Sequence, residues 1–139
     1  MTEPTRPERC VLVVDDTLPP GLAANAAAVL ALTVGARFPD LPGPDLVDAD
    51  GTVHPGLIPM GLPVLAAPAD RLSGLRAAAL DAGLHVIAFP TAGQQTTDYT
   101  AFTASVADTP TIGLSYLGLA LSGPSKAVRK CTSALPLLR

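Results

Sequence analysis

Apolar positions in this chain come in short runs that end on polar or turn-forming residues. The first is VLVV at 11–14, which ends on Asp15 and Asp16, turns through Pro19-Pro20-Gly21 and enters an alanine-rich stretch with no charge before Arg37. A β-branched run followed by a long small-residue segment predicts a strand over 9–14 and a helix over 20–35. Leu22, Val29 and Leu30 define the expected apolar face of that helix, and Gly35 is expected to stop it. Residues 38–62 are rich in proline and glycine, so they predict a long irregular connection. Within it, DADGT between Leu46-Val47 and Thr52-Val53 is a hairpin signal. Strands follow over 63–67, 84–89 and 114–121. Helices are expected over 69–82, closed by Gly83, over 98–107 with Asp98 near its start, and over 125–133. Leu72, Leu75, Ala79 and Leu80 form the expected face of the second helix, and Tyr99, Phe102 and Val106 that of the third.

Strands alternating with helices predict the α/β class: a three-layer α/β/α arrangement around a four-stranded mixed, mostly parallel sheet. A length of 139 residues matches one domain, 1–139, with 38–62 as its long connection.

Composition narrows the function classes. Hydrophobic residues make up 48% and charged residues only 15%, which argues against disorder and leaves apolar surface for a partner; a homodimer is the simplest expectation. Net charge is −3 and aromatics are 4%, so neither the global field nor stacking platforms favour nucleic acid. The polar start MTEPTRPERC predicts no secretory signal, and a reduced, cytoplasmic setting is expected for Cys10 and Cys131 as small buried hydrophobes. The uncharged run Thr17–Ala36 is interrupted by Pro19, Pro20, Gly21 and Asn25, so no membrane span is expected. His54, His85 and the two cysteines lack metal-ligand spacing, and no metal is expected. Neither a dinucleotide-binding glycine motif nor a P-loop is present, so no nucleotide cofactor is expected.

Ligand sites in open α/β sheets lie beyond the carboxyl ends of the strands. Asp15 and Asp16 close the first strand, where adjacent side chains point to opposite faces, so only one can line a given pocket; Asp16 is the candidate, its alternative being to order the turn by accepting backbone amides. Asn25 is unfavourable inside a helix, which suggests a hydrogen bond across a pocket. His54 is a candidate acid or base, although a lone histidine before proline is more often solvated. Thr91, Gln94 and Gln95 begin a polar segment of amides and hydroxyls suited to a small polar ligand, or simply to a surface loop. Ser122 sits in the Ser-Gly-Pro-Ser turn, which lacks the pattern of a nucleophile elbow. Lys126, Arg129, Lys130 and Arg139 are four of the nine basic residues, and cations in a last helix complement its dipole. The expectation is that Asp16, Asn25, His54, Gln95 and Ser122 converge on one concavity at the carboxyl end of the sheet.

Two segments, DTLPPGLAANAAAVLA at 16–31 and YLGLALSGPSKAVRKCTSALPLLR at the end, resemble the uncharacterised family known as domain of unknown function 2000. More distantly they are similar to type II peptidyl-tRNA hydrolases, whose first strand leads into a Gly-Lys-(apolar)-Ala-Ala-Gln helix and whose chain closes with a Gly-Pro turn and a helix. The resemblance implies that fold. Carried residue by residue, it places Asn25 on the glutamine, and Gly21 or Leu22 on the catalytic lysine. It also places Thr91 on the catalytic aspartate, Gln94 on an arginine and Gln95 on a threonine. The ionisable groups of the hydrolase are therefore replaced here. Three function classes follow: a small-molecule binding or regulatory module on a hydrolase-like scaffold, a hydrolase of an acyl or amide bond using Asp16 or His54, and a partner-assembly protein.

Overall fold

The computed structural model describes residues 6–94 and 96–139. Its elements, in order, are β1 (Arg9–Asp15), α1 (Pro20–Arg37), β2 (Leu46–Val47), β3 (Val53–His54), β4 (Val64–Ala67), α2 (Ala69–Asp81), β5 (His85–Pro90), α3 (Tyr99–Ala107), β6 (Tyr116–Gly123) and α4 (Ser125–Thr132). The expected order of strands and helices is present, and the DADGT turn closes the β2–β3 hairpin.

Four strands form one mixed sheet in the order β4-β1-β6-β5. β1 and β4 are parallel, whereas β6 runs antiparallel to both β1 and β5. A parallel connection needs a helix that crosses back over the sheet. α3 instead packs on the short 3-10 turn Thr91–Gln94 after β5, so the chain re-enters the sheet from the end where it left it and β6 runs the other way.

Helices cover both faces. On one face Ala23, Ala26, Leu30 and Val34 of α1 pack over Cys10, Leu12, Val14 and Ala120. On the other, Leu72 and Ala79 of α2 and Val128 of α4 pack over Val11, Val13, Leu119 and Leu121. The three-layer expectation therefore holds, with a helix pair on one side and a single long helix on the other.

Three expectations are corrected. The buried stripe of α1 is not the Leu22–Val29 face: Leu22 is 42% and Val29 39% exposed. Small residues on both surfaces set the phase of the helix, because α1 lies so close to the sheet that a Cβ added at Gly118 would sit 3.0 Å from Leu30 Cδ1. α1 also passes through Gly35 to Arg37, and ends where Phe38, kept out of the helical region ahead of Pro39, gives its amide to Val34 O. Burial of Val34 and packing of Phe38 against the same cluster favour the extra turn. In α2 Leu80 lies outside the buried face at 46% exposure, and in α3, which only half-buries Phe102 and Val106, Tyr99 is 79% exposed.

Gly83 does close the region after α2. It adopts φ +78°, with its amide on Leu80 O and the Leu84 amide on Ala79 O, the paired bonds of a Schellman ending. Asp98 caps α3 by accepting from the Thr100 amide. The carboxyl-terminal residues were not expected to join the sheet. Pro136 O and the Leu138 amide bond to Ala66 and Val64, so the tail runs along β4 and covers what would be an open edge.

Candidate functional site

Residues from β1, α1, β4 and the tail build the strongest candidate site. β1 is followed by α1 on one face and its neighbour β4 by α2 on the other, so the two outgoing loops part above the carboxyl ends of these strands. That divergence is the usual origin of a ligand crevice in such sheets. On the α1 side the crevice continues as a groove of about 470 Å³, lined by Asp16, Leu18, Pro20, Ala23, Ala24, Ala27, Val64, Leu138 and Arg139. The alanines make its wall, Val64 and Leu138 its floor, and a carboxylate and a guanidinium are its charged groups. A concave, largely apolar site with few polar groups has the form of a small-molecule pocket.

The two strand-end aspartates divide their roles. Asp15 is buried, and its Oδ1 accepts from the Thr17 amide at 2.9 Å and from Thr17 Oγ1 at 2.7 Å. It therefore orders the turn into α1. Asp16 is exposed, gives its amide to Ala67 O and lines the groove. Of the two aspartates, Asp16 is the one that lines the groove.

The expected convergence does not occur. Ser122 pairs with Cys10 and with His85, at the amino end of β1. Six residue steps along the chain lead from Cys10 to Asp16, so Ser122 lies roughly 20 Å away at about 3.3 Å per step. The reversed direction of β6 causes the displacement. Asn25 is exposed on α1 and is absent from the groove lining, because the helix turns Ala23, Ala26 and Leu30 inward instead. His54 is exposed on β3, where its Nε2 lies 2.9 Å from Asp48 Oδ2. The hairpin forms its own two-stranded sheet apart from the four-stranded one.

Thr91 and Gln94 do lie at the carboxyl end, on the turn after β5. Thr91 accepts from Ser115 Oγ at 2.9 Å and its amide bonds to Ser115 O, while Gln94 is exposed. One strand, β6, separates them from Asp16, roughly 10 Å at two strand spacings. Gln95 falls outside the described residues. The polar segment after it contributes Thr96, Thr97 and Asp98 to a shallower depression of about 210 Å³ against Val29, Phe89 and Phe102, not to the groove.

Sequence reasoning missed Leu138 and Arg139. The apolar end LPLLR was the available signal, since an apolar tail of that kind suits an edge strand. Among the described residues no group of three or more His, Cys, Asp or Glu side chains is arranged to hold a metal, and no helix is long and apolar enough to cross a membrane.

The solved structure of Atu0240, a protein of unknown function from Agrobacterium tumefaciens strain C58, is similar to this chain with a TM-score of 0.84 and 19% identity over 93% of this chain and 96% of its own. That likeness speaks for the fold alone. No curated protein matches. The model of the family described as protein of unknown function DUF2000 matches residues 8–139, and the chain belongs to that family.

Proposed function

We propose that the protein is a small-molecule binding or regulatory module whose ligand lies in the groove between α1 and the tail-covered edge of β4. The observation that carries this reading is a mostly apolar groove that runs between α1 and the tail-covered edge of β4 and reaches Asp16 at the carboxyl end of β1, with Asp16 and Arg139 as its charged groups. A ligand that fits has an apolar body of modest size and a polar end that pairs with one of these charges. The strand order and the Ala-Ala-Asn start of α1 support a type II peptidyl-tRNA hydrolase-like scaffold. Its chemistry is missing: Gly21 or Leu22 stands at the lysine position and Thr91 at the aspartate position. Lys126 opens α4 beyond Ser122, at the far end of the sheet, and does not replace that lysine.

A thermal-shift screen of a metabolite library against wild type and Ala24→Leu tests this function. Ala24 is exposed and lines the groove, so leucine fills the space while leaving the core untouched. Ligands that stabilise wild type and not the variant support the groove.

Self-association has a separate observation behind it. α1 carries no charge from Pro20 to Ala36 and presents Leu22, Val29 and Leu32 to solvent, the last at 78% exposure. Leu46, Val47, Val53 and Leu57 of the 38–62 connection are exposed as well. We read these as surface for a homodimer in a cytoplasmic setting, and light scattering that reports a monomer across a hundredfold concentration range would refute it.

A further inference from the structure

The end of the sheet opposite the groove holds a second cavity. We propose that it binds a small carboxylate or phosphate. The cavity measures about 400 Å³ and is lined by Pro7, Arg37, Phe38, Gly83, His85, Ser122, Gly123 and Pro124. Three observations, independent of the carboxyl-end groove, point to an anion.

First, the polar groups that converge there are two nitrogen-bearing side chains and a hydroxyl. Arg37 ends α1, His85 begins β5, and Ser122 stands directly opposite His85 on β6. The Phe38 and His85 rings meet edge to face at 5.4 Å, which holds the imidazole at the rim. Arg37 supplies a fork of donors suited to a carboxylate or phosphate.

Second, Ser122 is only 1% exposed on a core strand, and its side chain lines this cavity. A hydroxyl placed at a cavity on an otherwise apolar strand is a hydrogen-bonding group within reach of a ligand there.

Third, positive charge collects at this end of a chain whose net charge is −3. Arg6 reaches the carbonyls of Asp40 and Pro42, and Arg9 pairs with Gly123 at the cavity wall. The Arg9 Nε is buried and has no hydrogen-bond partner among the described residues. Lys126 and Arg129 lie in the first turns of α4, immediately after the Gly123-Pro124 lining. Glu8, Asp40 and Asp81 are the acidic groups nearest in sequence to these elements, and none of them lines the cavity. Phe38, Pro7 and Pro124 leave room for a small apolar body behind the anionic group.

Inorganic phosphate and benzoate are the probes. Amide NMR of the full chain should show saturable shifts at Gly83, Ser122 and Gly123 with at least one of them. Arg37→Gln, an exposed change that leaves the core intact, should weaken that binding about tenfold or more, as expected for loss of a charge-assisted contact. Ser122→Ala should weaken it less and leave the fold intact by the same spectra. Shifts that fail to saturate with both probes, or an affinity unchanged in Arg37→Gln, would overturn the proposal.

Discussion

Gly118→Ala is the substitution that most sharply probes how closely α1, β1 and β6 approach one another. Gly118 lies in β6 opposite Val14 on one side and Phe89 on the other. A methyl group there would stand 2.7 Å from Val13 O and 3.0 Å from Leu30 Cδ1. Ordinary carbon contacts are roughly 3.5–4.0 Å, so both are too short. The carbonyl belongs to the β1–β6 ladder and Leu30 is 1% exposed, so neither neighbour can swing clear. Relief requires the strands to separate or α1 to lift, and forced overpacking of this kind costs about 1–3 kcal/mol. For a chain of this size that lowers Tm by roughly 3–15 °C. Gly74→Ala is the control. It sits inside α2 with nothing within 4 Å of an added Cβ, so alanine should stabilise by about 0.5–1 kcal/mol through helix propensity. Thermal and urea unfolding of the pair gives the comparison. A Gly118→Ala protein as stable as wild type would refute the close three-layer packing described here.

Other consequences are as direct. Burial pushes the Cys10 thiol up to about 11 from an ordinary value of 9.0, so native protein should react with a thiol reagent only at Cys131, with Cys10 labelled after denaturation. Because the unfolded thiol ionises first as pH rises from 9.0 towards 11, that preference for the neutral form is lost in this window and stability should decline there; equal native labelling of both cysteines would contradict the burial. The His54 hydrogen bond, helped by the Thr52 and Asp50 amides, holds the Asp48 carboxyl below its ordinary 3.8. Its contribution to the hairpin is therefore present above that pH and is lost as pH falls through the depressed value, so NMR signals of residues 46–54 should keep their dispersion at pH 5 and lose it in stronger acid, and earlier in His54→Ala. Purified protein should not release labelled peptide from peptidyl-tRNA at an enzymatic rate; saturable turnover abolished by Asp16→Asn would restore the hydrolase reading.

The succession of elements was legible in the sequence because each signal was local. VLVV, PVLAA and LHVIAF needed only their own residues to read as strands, and Gly83 and Asp98 closed and opened helices by backbone chemistry that neighbours do not alter. Asp16 was legible for the same reason, as the residue where a strand ends and a helix is about to begin. Strand direction was not local. Nothing in LSYLGLALSG states which way β6 runs, and that direction alone moves Ser122 from one end of the sheet to the other. The face of α1 was illegible too, since in an alanine-rich helix the depth of approach, set by Gly118 and Ala120 on the far side, outweighs the pull of Leu22 and Val29. Asn25 went outward with them. The groove floor needed Leu138 and the wall Ala24 to meet across more than a hundred residues, a contact made by the tail pairing with β4.

The most direct test of the groove is the stabilisation of wild type and Ala24→Leu by the best ligand from a metabolite screen. A ligand at a hundred times its Kd stabilises the folded state by about 2.7 kcal/mol, which here raises Tm by roughly 8–13 °C. The groove reading predicts that shift in wild type, its near disappearance in Ala24→Leu, and an unliganded Tm that is the same for both. A ligand that stabilises both proteins equally would contradict it.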